Sequence, residues 1–368
     1  MNPGPIFLLC ATAVTALGQP ASDLLLRHDF DTNSEGWVAM GPNASVGTTN
    51  RVGSAKQGRG ALEFRYDLSK TFAAAVLPID FALQRMKRIR FWAKSDHDTS
   101  VALLLAEHKP GGDYTAWFWA PAGQWQLIEF TPADFAVGDG PKDPVDPNGK
   151  LDLDQVEGIG ILDLAYFRNT LRQSGATNLI IAEASGDHTL LIDEFEVLSS
   201  ASPEKPTPAK AMRLDGFDRG FLQWVTIGGM KLSLKNKAME VVYQRTEGKI
   251  ALLTQRLSQM NLSKTKAVSI DLTSENDTVI ALSIELKMAG GGSGPRYSAT
   301  IPVKASAGTD PQHVELSYSD FDHDENSPAG PPMLDPAIIK SIWVVDISAM
   351  VGGELGPNKL VISALNAQ

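Results

Sequence analysis

The sequence predicts an all-β protein built from two tandem antiparallel β-sandwiches. Short apolar runs alternate with turn-forming residues along the chain, a Pro-rich segment divides it, and the second half repeats motifs of the first in the same order. At 368 residues the chain is too long for one ordinary hydrophobic core, which favours two domains.

The first half contains a series of apolar runs separated by segments rich in Gly, Pro, Asp, Asn and Ser. This spacing is typical of strands joined by turns. No window shows a sustained helical period of 3.6 residues. The predicted strands begin at residues 24, 61, 73, 88, 100, 114, 125, 158, 178 and 188.

The segment 199–210 has three prolines and no large apolar residue, so it cannot bury surface and predicts an extended linker. The predicted organisation is a first domain over 24–199, a linker over 200–210 and a second domain over 211–366. Matching residues recur at nearly constant offsets in the two halves. The pairs are Trp37 and Trp224, offset by 187, Tyr114 and Tyr297, offset by 183, and Phe135 and Phe321, offset by 186.

The N-terminal residues 1–18 contain an apolar run from Ile6 to Leu17 and end in small residues. This pattern predicts a secretory signal cleaved near Gly18, although the usual positive charges before the run are missing. The protein is therefore expected to be secreted or periplasmic, and no stretch is long enough for a transmembrane segment. Cys10 is the only cysteine, so the mature chain would have no disulfide and no thiol ligand or nucleophile.

The charge balance also limits the partners. Net charge is −10 with a pI near 5.1, whereas phosphate backbones and anionic membranes require clustered Lys and Arg. The sequence therefore predicts no nucleic-acid partner.

Four motifs, taken in order, carry a resemblance to a known group of proteins. They are Asp29-Phe30-Asp31 with Gly36-Trp37, the strand Arg90–Lys94, Gly123–Gln126 leading to Asp134-Phe135, and the closing strand Leu191–Phe195. In these residues the chain resembles the galactose-binding-like jelly rolls. It is most similar to family 11 carbohydrate-binding modules and to the complex I intermediate-associated protein 30 domain.

The resemblance implies two antiparallel sheets per domain, one of them concave and facing a ligand. It also implies a structural Ca²⁺ between the first and last strands, which in this chain points to Asp29 and Asp193. The matching strand of the second half ends on Ser363 and has no carboxylate, which argues against such an ion there. Family 11 modules bind β-glucans, and a polysaccharide or other glycan is thus the implied partner.

The densest aromatic stretch is Asp113–Phe135, in which Trp117 and Trp119 lie two residues apart. Alternate side chains of a strand share a face, so these two indoles are expected on one side, about 7 Å apart. Indoles at this spacing can stack on successive sugar rings. At about 25 cal/mol/Å², burying ~100 Å² per ring contributes roughly 2.5 kcal/mol each. After the costs of association, this suggests binding in the millimolar to tens-of-micromolar range.

The alternative is that Trp117 and Trp119 belong to the sandwich core, because both faces of this strand are apolar. The second half favours exposure: it has Thr300 and Pro302 at the matching positions, and a core would be expected to refill the lost volume. The first domain is therefore predicted to bind a ligand that the second does not. The candidates for contacts at the rim of this site are Glu107, His108 and Asp113.

The sequence shows none of the common catalytic motifs, and its six histidines are scattered. The main prediction is non-catalytic carbohydrate binding. A second hypothesis is a structural or protein-interaction module whose partner is another protein of the cell envelope. A third is a glycan-active hydrolase or lyase, for which Glu107 and Asp113 are the candidate carboxylates.

Overall fold

The computed structural model describes residues 23–69, 72–81, 83–138, 143–181, 185–201, 212–227, 229–257, 260–288, 292–306 and 310–368. The predicted signal segment 1–18 lies outside the described residues. So does the predicted linker, apart from Ser200 and Ala201.

In its described residues the first sandwich contains twelve strands and one α-helix. The strands are β1 Leu24–His28, β2 Val38–Met40, β3 Ser45–Thr49, β4 Ala61–Asp67, β5 Ala74–Pro78, β6 Arg88–Ser95, β7 Thr99–Glu107, β8 Asp113–Ala120, β9 Gln126–Phe130, β10 Ala136–Val137, β11 Val156–Asp163 and β12 Asp187–Leu198; the helix is α1 Tyr166–Gln173.

The second sandwich contains twelve strands over the ranges that the structure describes. They are β13 Met212–Asp215, β14 Val225–Thr226, β15 Lys231–Lys235, β16 Ala238–Arg245, β17 Ala251–Arg256, β18 Ala267–Ser274, β19 Thr278–Leu286, β20 Arg296–Val303, β21 Gln312–Ser317, β22 Asp322–His323, β23 Ile339–Asp346 and β24 Gly356–Ala367.

The two sandwiches have the same strand order. In the first, one sheet runs β3-β4-β12-β6-β9 with β1 also on β12, and the other runs β10-β8-β7-β11-β5-β2. The second sandwich repeats both orders as β15-β16-β24-β18-β21, with β13 on β24, and β22-β20-β19-β23-β17-β14. The ladders between these strands are antiparallel. The all-β fold of two tandem antiparallel β-sandwiches is confirmed.

Equivalent side chains make equivalent bonds in the two halves, which explains the repeated residues. Each opening strand accepts a bond from an indole N–H, and each core holds a tyrosine hydroxyl against a buried aspartate. The pairs are Trp37 with His28 (3.0 Å), Trp224 with Asp215 (2.9 Å), Tyr66 with Asp163 (2.7 Å), and Tyr243 with Asp346.

Strand β8 shows how alternation sets the two faces. Tyr114, Ala116 and Phe118 are buried in the core of the first sandwich, so Trp117 and Trp119 point away from it. The turn after β8 requires Gly123, which has a φ of +70° that side chains with a Cβ rarely adopt.

Two local predictions are corrected. The predicted strand at 178–184 forms only one bridge, between Leu179 and Ile250 of the second sandwich, within its described residues. Helix α1 was not predicted, because its eight residues are too few to establish a helical period. No helix in the described ranges combines the length and apolar character needed to cross a bilayer.

Candidate ligand-binding cleft between the two sandwiches

The two sandwiches exchange aromatic side chains across their interface. Trp119 of the first packs in the hydrophobic core of the second, together with Leu222 and Trp224. Phe221 of the second packs in the core of the first, with its ring 5.4 Å from that of Phe130 in an edge-on contact. The backbone N–H of Trp119 donates to the carbonyl of Leu222 at 2.8 Å. Each core is thus completed by its neighbour.

This exchange corrects the expectation that Trp117 and Trp119 stand clear in solvent. Trp119 is 2% exposed because the second sandwich covers it, and Trp117 is half-buried. The alternative interpretation, in which both rings lie between the sheets of their own sandwich, is also wrong. The pair shares one face of β8, as the alternation predicted, and that outer face is an interface rather than an open platform.

Arg256 of the second sandwich covers one face of the Trp117 ring, with its guanidinium carbon 4.0 Å from the ring centroid. The same guanidinium donates to Thr115 Oγ1 at 2.7 Å and to the carbonyl of Ala136 at 3.3 Å. A ring covered in this way offers at most one face to a ligand.

A second arginine clamps the interface. Arg219 donates from both terminal nitrogens to the two carboxylate oxygens of Asp134, at 2.8 and 3.0 Å, and also to the carbonyl of Glu129 at 2.9 Å. Gln223 donates to Asp134 Oδ1 at 3.1 Å. Burial raises the pKa of Asp134, but these bonds outweigh it and hold that pKa below its ordinary value. The fork geometry fixes orientation as well as distance.

Beside this interface lies a cleft of about 440 Å³, which is lined by both sandwiches. This volume is within the range of small-molecule sites. Three aromatic side chains face it from different elements: Trp117 on β8, Tyr166 on α1 and Trp343 on β23. Phe167, 46% exposed, lies at its edge. The cleft is therefore reachable from solvent and has stacking surfaces on two sides.

Arg168 of α1 also lines the cleft and is only 7% exposed. No hydrogen bond or ion pair links its guanidinium to another described residue, which is uncommon for a cation with so little exposure. Burial lowers the pKa of Arg168, while the negative charges of Asp163 and Asp98 oppose that effect. An arginine nevertheless stays charged, and its five donors are available to a ligand.

The opposite wall of the cleft contains the hydrogen-bonded carboxylate of Glu285. Glu285, 4% exposed, accepts bonds from Lys340 Nζ at 3.0 Å, from Ser341 Oγ at 3.0 Å and from the backbone N–H of Gly294 at 2.9 Å. Trp343 donates its indole N–H to Ser341 at 2.7 Å, which holds the ring in place. Hydrogen bonds within the second sandwich thus hold Glu285 and Trp343 in this wall.

The residues predicted at the rim lie at the other end of β8. Glu107 is 4% exposed and accepts bonds from the backbone N–H groups of Gly112 and Asp152, at 2.9 and 2.5 Å, so it stabilises the loop rather than facing a ligand. His108 is exposed and lies 2.7 Å from Glu157. Asp113 is half-buried, and burial raises its pKa. Asp113 lies four positions before Trp117 along the strand, a distance of about 13 Å.

The carboxylates expected to hold Ca²⁺ have other partners. Asp193 is fully buried and accepts three backbone N–H bonds, from Lys56 and Gln57 on one oxygen and from Glu194 on the other, at 2.7 to 2.9 Å. Asp29 Oδ1 accepts the N–H of Asp31 at 3.0 Å. Among the described residues, neither belongs to a group of three converging carboxylate or imidazole ligands. These contacts do not fit a calcium site built on Asp29 and Asp193, and the ion stays a prediction.

Sequence reasoning missed Tyr166, Arg168 and Trp343. Trp343 carried a usable signal, because Ile342 and Val344 on either side of it are apolar core residues, so that alternation places it on the outer face. Tyr166 and Arg168 carried none, since α1 is too short to be predicted.

No family model matches the chain, and no curated protein matches it. Solved structures with a similar fold include a family 11 carbohydrate-binding module from Clostridium thermocellum in complex with a β-1,3-1,4-mixed-linked tetrasaccharide. That module is 23% identical, with 44% of this chain and 96% of that chain covered and a TM-score of 0.36. The N-terminal CBM22-1–CBM22-2 tandem domain of Paenibacillus barcinonensis Xyn10C is 15% identical over 96% of this chain and 99% of that chain, with a TM-score of 0.31. An exo-β-agarase is 16% identical, with 53% of this chain and 27% of that chain covered and a TM-score of 0.35. These scores are too low to support a functional conclusion.

Proposed function

We propose that this protein binds carbohydrate without catalysis, and that the ligand occupies the cleft between the two sandwiches. The observation that carries the proposal is the composition of that cleft. It joins aromatic rings from both sandwiches with a nearly buried guanidinium that lacks a partner among the described residues. Sugar rings present apolar C–H faces and a rim of hydroxyls, which match stacking surfaces and directed donors respectively.

The expected affinity follows from the rings. Burying about 100 Å² of apolar surface on Tyr166 and again on Trp343 contributes roughly 2.5 kcal/mol per ring at ~25 cal/mol/Å². Arg168 adds charge-assisted bonds to hydroxyl or carboxylate oxygens. After the cost of association is subtracted, the expected dissociation constant lies between about a millimolar and tens of micromolar. The site differs from the platform expected from the sequence, because the second sandwich supplies one wall.

The test uses the purified full chain in affinity gel electrophoresis against a panel of neutral and acidic polysaccharides. Calorimetry then follows with an oligosaccharide of the one retained best. Trp343→Ala is expected to weaken binding roughly sixty-fold, since it removes about 2.5 kcal/mol and each 1.4 kcal/mol is tenfold. Arg168→Met is expected to weaken it as well.

Trp92→Ala is the matched control. Trp92 is also half-buried with a cation over its ring, Lys56 Nζ at 4.2 Å, but it lies on the outer face of the other sheet. If Trp92→Ala abolishes retention while Trp343→Ala has no effect, the ligand binds that other face and the cleft proposal is wrong. If no polysaccharide retains the protein, the envelope-protein interaction hypothesis replaces it.

The proposal includes export and the absence of catalysis. Export rests on the apolar run at residues 6–17 and is tested by the mass of the mature N-terminus, expected to begin after Gly18. Glu107 is committed to backbone amides, which speaks against its role in a hydrolytic carboxylate pair. Release of reducing sugar from the retained polysaccharide would favour the hydrolase or lyase hypothesis.

A further inference from the structure

A second cluster of side chains lies at one end of the first sandwich, in the β6–β7 turn and at the start of β12. Asp96 and His97 come from the turn, and His188 from the strand. The two imidazole rings face each other with centroids 3.8 Å apart and planes at 33°. Asp96 Oδ1 lies 2.8 Å from His97 Nδ1 and 3.1 Å from His188 Nδ1. One ligand-type atom of each of these three residues therefore lies within 4.8 Å of the other two.

The outer nitrogen of each imidazole already faces an acceptor. His97 Nε2 lies 2.9 Å from Asp163 Oδ2, in an ion-pair contact that is out of line with the N–H bond. His188 Nε2 lies 3.2 Å from the carbonyl of Ser185, which can only accept. Both contacts favour a proton on Nε2. In a neutral ring this leaves the lone pair of Nδ1 facing the carboxylate of Asp96.

A proton or a metal ion can therefore lie between each Nδ1 and the carboxylate of Asp96. Ser95 Oγ, 3.2 Å from His97 Nδ1, can donate to that ring, but His188 Nδ1 has only Asp96 as a side-chain partner in the described residues. Two extra protons would satisfy both rings at the cost of two imidazolium charges 3.8 Å apart. A metal ion satisfies the two nitrogens and the oxygen together.

We propose that Asp96, His97 and His188 form a binding site for a divalent transition-metal ion of the zinc class. Two imidazole nitrogens and one carboxylate oxygen suit Zn²⁺ and Co²⁺, whereas Ca²⁺ and Mg²⁺ prefer oxygen alone. Ligand atoms around a tetrahedral zinc ion are separated by roughly 3.3 Å, given bonds of about 2.0 to 2.1 Å. The present separations of 2.8 and 3.1 Å must open by only a few tenths of an ångström.

The surroundings are those of a metal site. Metal-bound imidazoles typically donate their other N–H to a carboxylate or a backbone carbonyl, which are the groups that Asp163 and Ser185 supply. Asp96 Oδ2 is held by the backbone N–H of Thr189 at 2.7 Å, which leaves Oδ1 for the ion. The Asp96 side chain is 43% exposed, so an ion can enter from solvent and a fourth position is open to water.

The second sandwich argues against a purely structural role for both histidines. Its equivalent buried carboxylate, Asp346, is neutralised by Arg245 at 2.7 Å, and its neighbour Asn358 donates an amide N–H to Tyr243. That core is stable with a cation and an amide, and it places no imidazole there.

The experiment uses the full chain without an affinity tag, stripped with a chelator and dialysed. Calorimetric titration with Zn²⁺ is expected to show one saturable equivalent, and Co²⁺ is expected to give the visible absorption of a tetrahedral site. His188→Gln removes one ligand and is expected to raise the dissociation constant at least about a hundredfold, since even loss of an outer partner costs ten- to a hundredfold. Asp96→Asn is expected to weaken binding as well, although the side chain keeps nearly the same shape.

The matched control is His108→Gln. His108 also has a carboxylate at 2.7 Å, that of Glu157, but the described structure places no second imidazole in a ligand cluster with it. Wild-type binding is expected in this variant. Circular dichroism of each metal-free variant separates loss of the site from loss of the fold. The proposal is overturned if the wild type shows no saturable equivalent, if His188→Gln and Asp96→Asn bind as the wild type does, or if Ca²⁺ saturates the site as well as Zn²⁺.

Discussion

Replacing Trp119 with alanine tests whether the two sandwiches are held together by the aromatic exchange. Its side chain is 2% exposed and packs in the core of the second sandwich. A buried indole removes about 150 to 250 Å² from water, which corresponds to roughly 4 to 6 kcal/mol at ~25 cal/mol/Å². Its indole N–H is buried without a hydrogen-bond partner among the described residues, an arrangement that costs about 1 to 3 kcal/mol and is relieved by the substitution. The expected net loss is about 3 kcal/mol.

This loss should appear in the docking of the sandwiches rather than in the stability of the first one. Trp119→Ala is therefore expected to raise the radius of gyration in small-angle scattering and to speed proteolysis between the sandwiches. Phe118→Ala is the matched control, because Phe118 is fully buried on the opposite face of β8. Its loss should cost about 3 to 5 kcal/mol in urea unfolding of the first sandwich.

The two variants distinguish three cases. If Trp119→Ala lowers the unfolding midpoint of the first sandwich as Phe118→Ala does and leaves docking unchanged, the indole belongs to that core and the exchange is refuted. If Trp119→Ala changes neither property, the ring is exposed, as expected from the sequence.

Three further predictions concern charged groups. The pKa of Asp134 is held below its ordinary value of 3.8, so its contribution to docking is present above that pH and is lost as the pH falls through the folded-state pKa. Scattering should therefore show expansion of the protein in acid, and Arg219→Met should already be expanded at neutral pH. Equal radii of gyration of the wild type at pH 3 and pH 7 would contradict this. Arg168→Met removes a buried cation with no described partner, so the free energy of unfolding should stay the same or rise by about 1 kcal/mol. Retention by the polysaccharide should fall in the same variant. A large loss of stability would mean that the guanidinium has a structural partner. Arg245→Met leaves the buried carboxylate of Asp346 without its cation and should lower the free energy of unfolding in urea by about 3 to 5 kcal/mol. An unchanged free energy of unfolding would show that this ion pair is dispensable.

Much of the fold could be predicted from the sequence because its signals are local. Period-two alternation, turn residues and the repeated motifs depend on neighbours along the chain, and they predicted two similar sandwiches correctly. The same alternation placed Trp117 and Trp119 together on one face of β8, and the structure shows that this is the outer face. It failed at α1, which is one short helix, and at 178–184, where an apolar run meets Ile250 instead of a sheet.

The functional residues depended on contacts between distant parts of the chain. Whether Trp119 is exposed was decided by Leu222 and Trp224, about a hundred residues away, and alternation cannot report what covers a face. His97 and His188 meet only because the β6–β7 turn and the start of β12 adjoin in one sheet. The amino-acid pattern by itself determined the two β-sandwiches and the shared face of Trp117 and Trp119, because strand geometry is local. Only the tertiary structure decided which outward side chains are covered, which line a cleft and which converge on an ion, because those outcomes depend on how surfaces from separate segments pack.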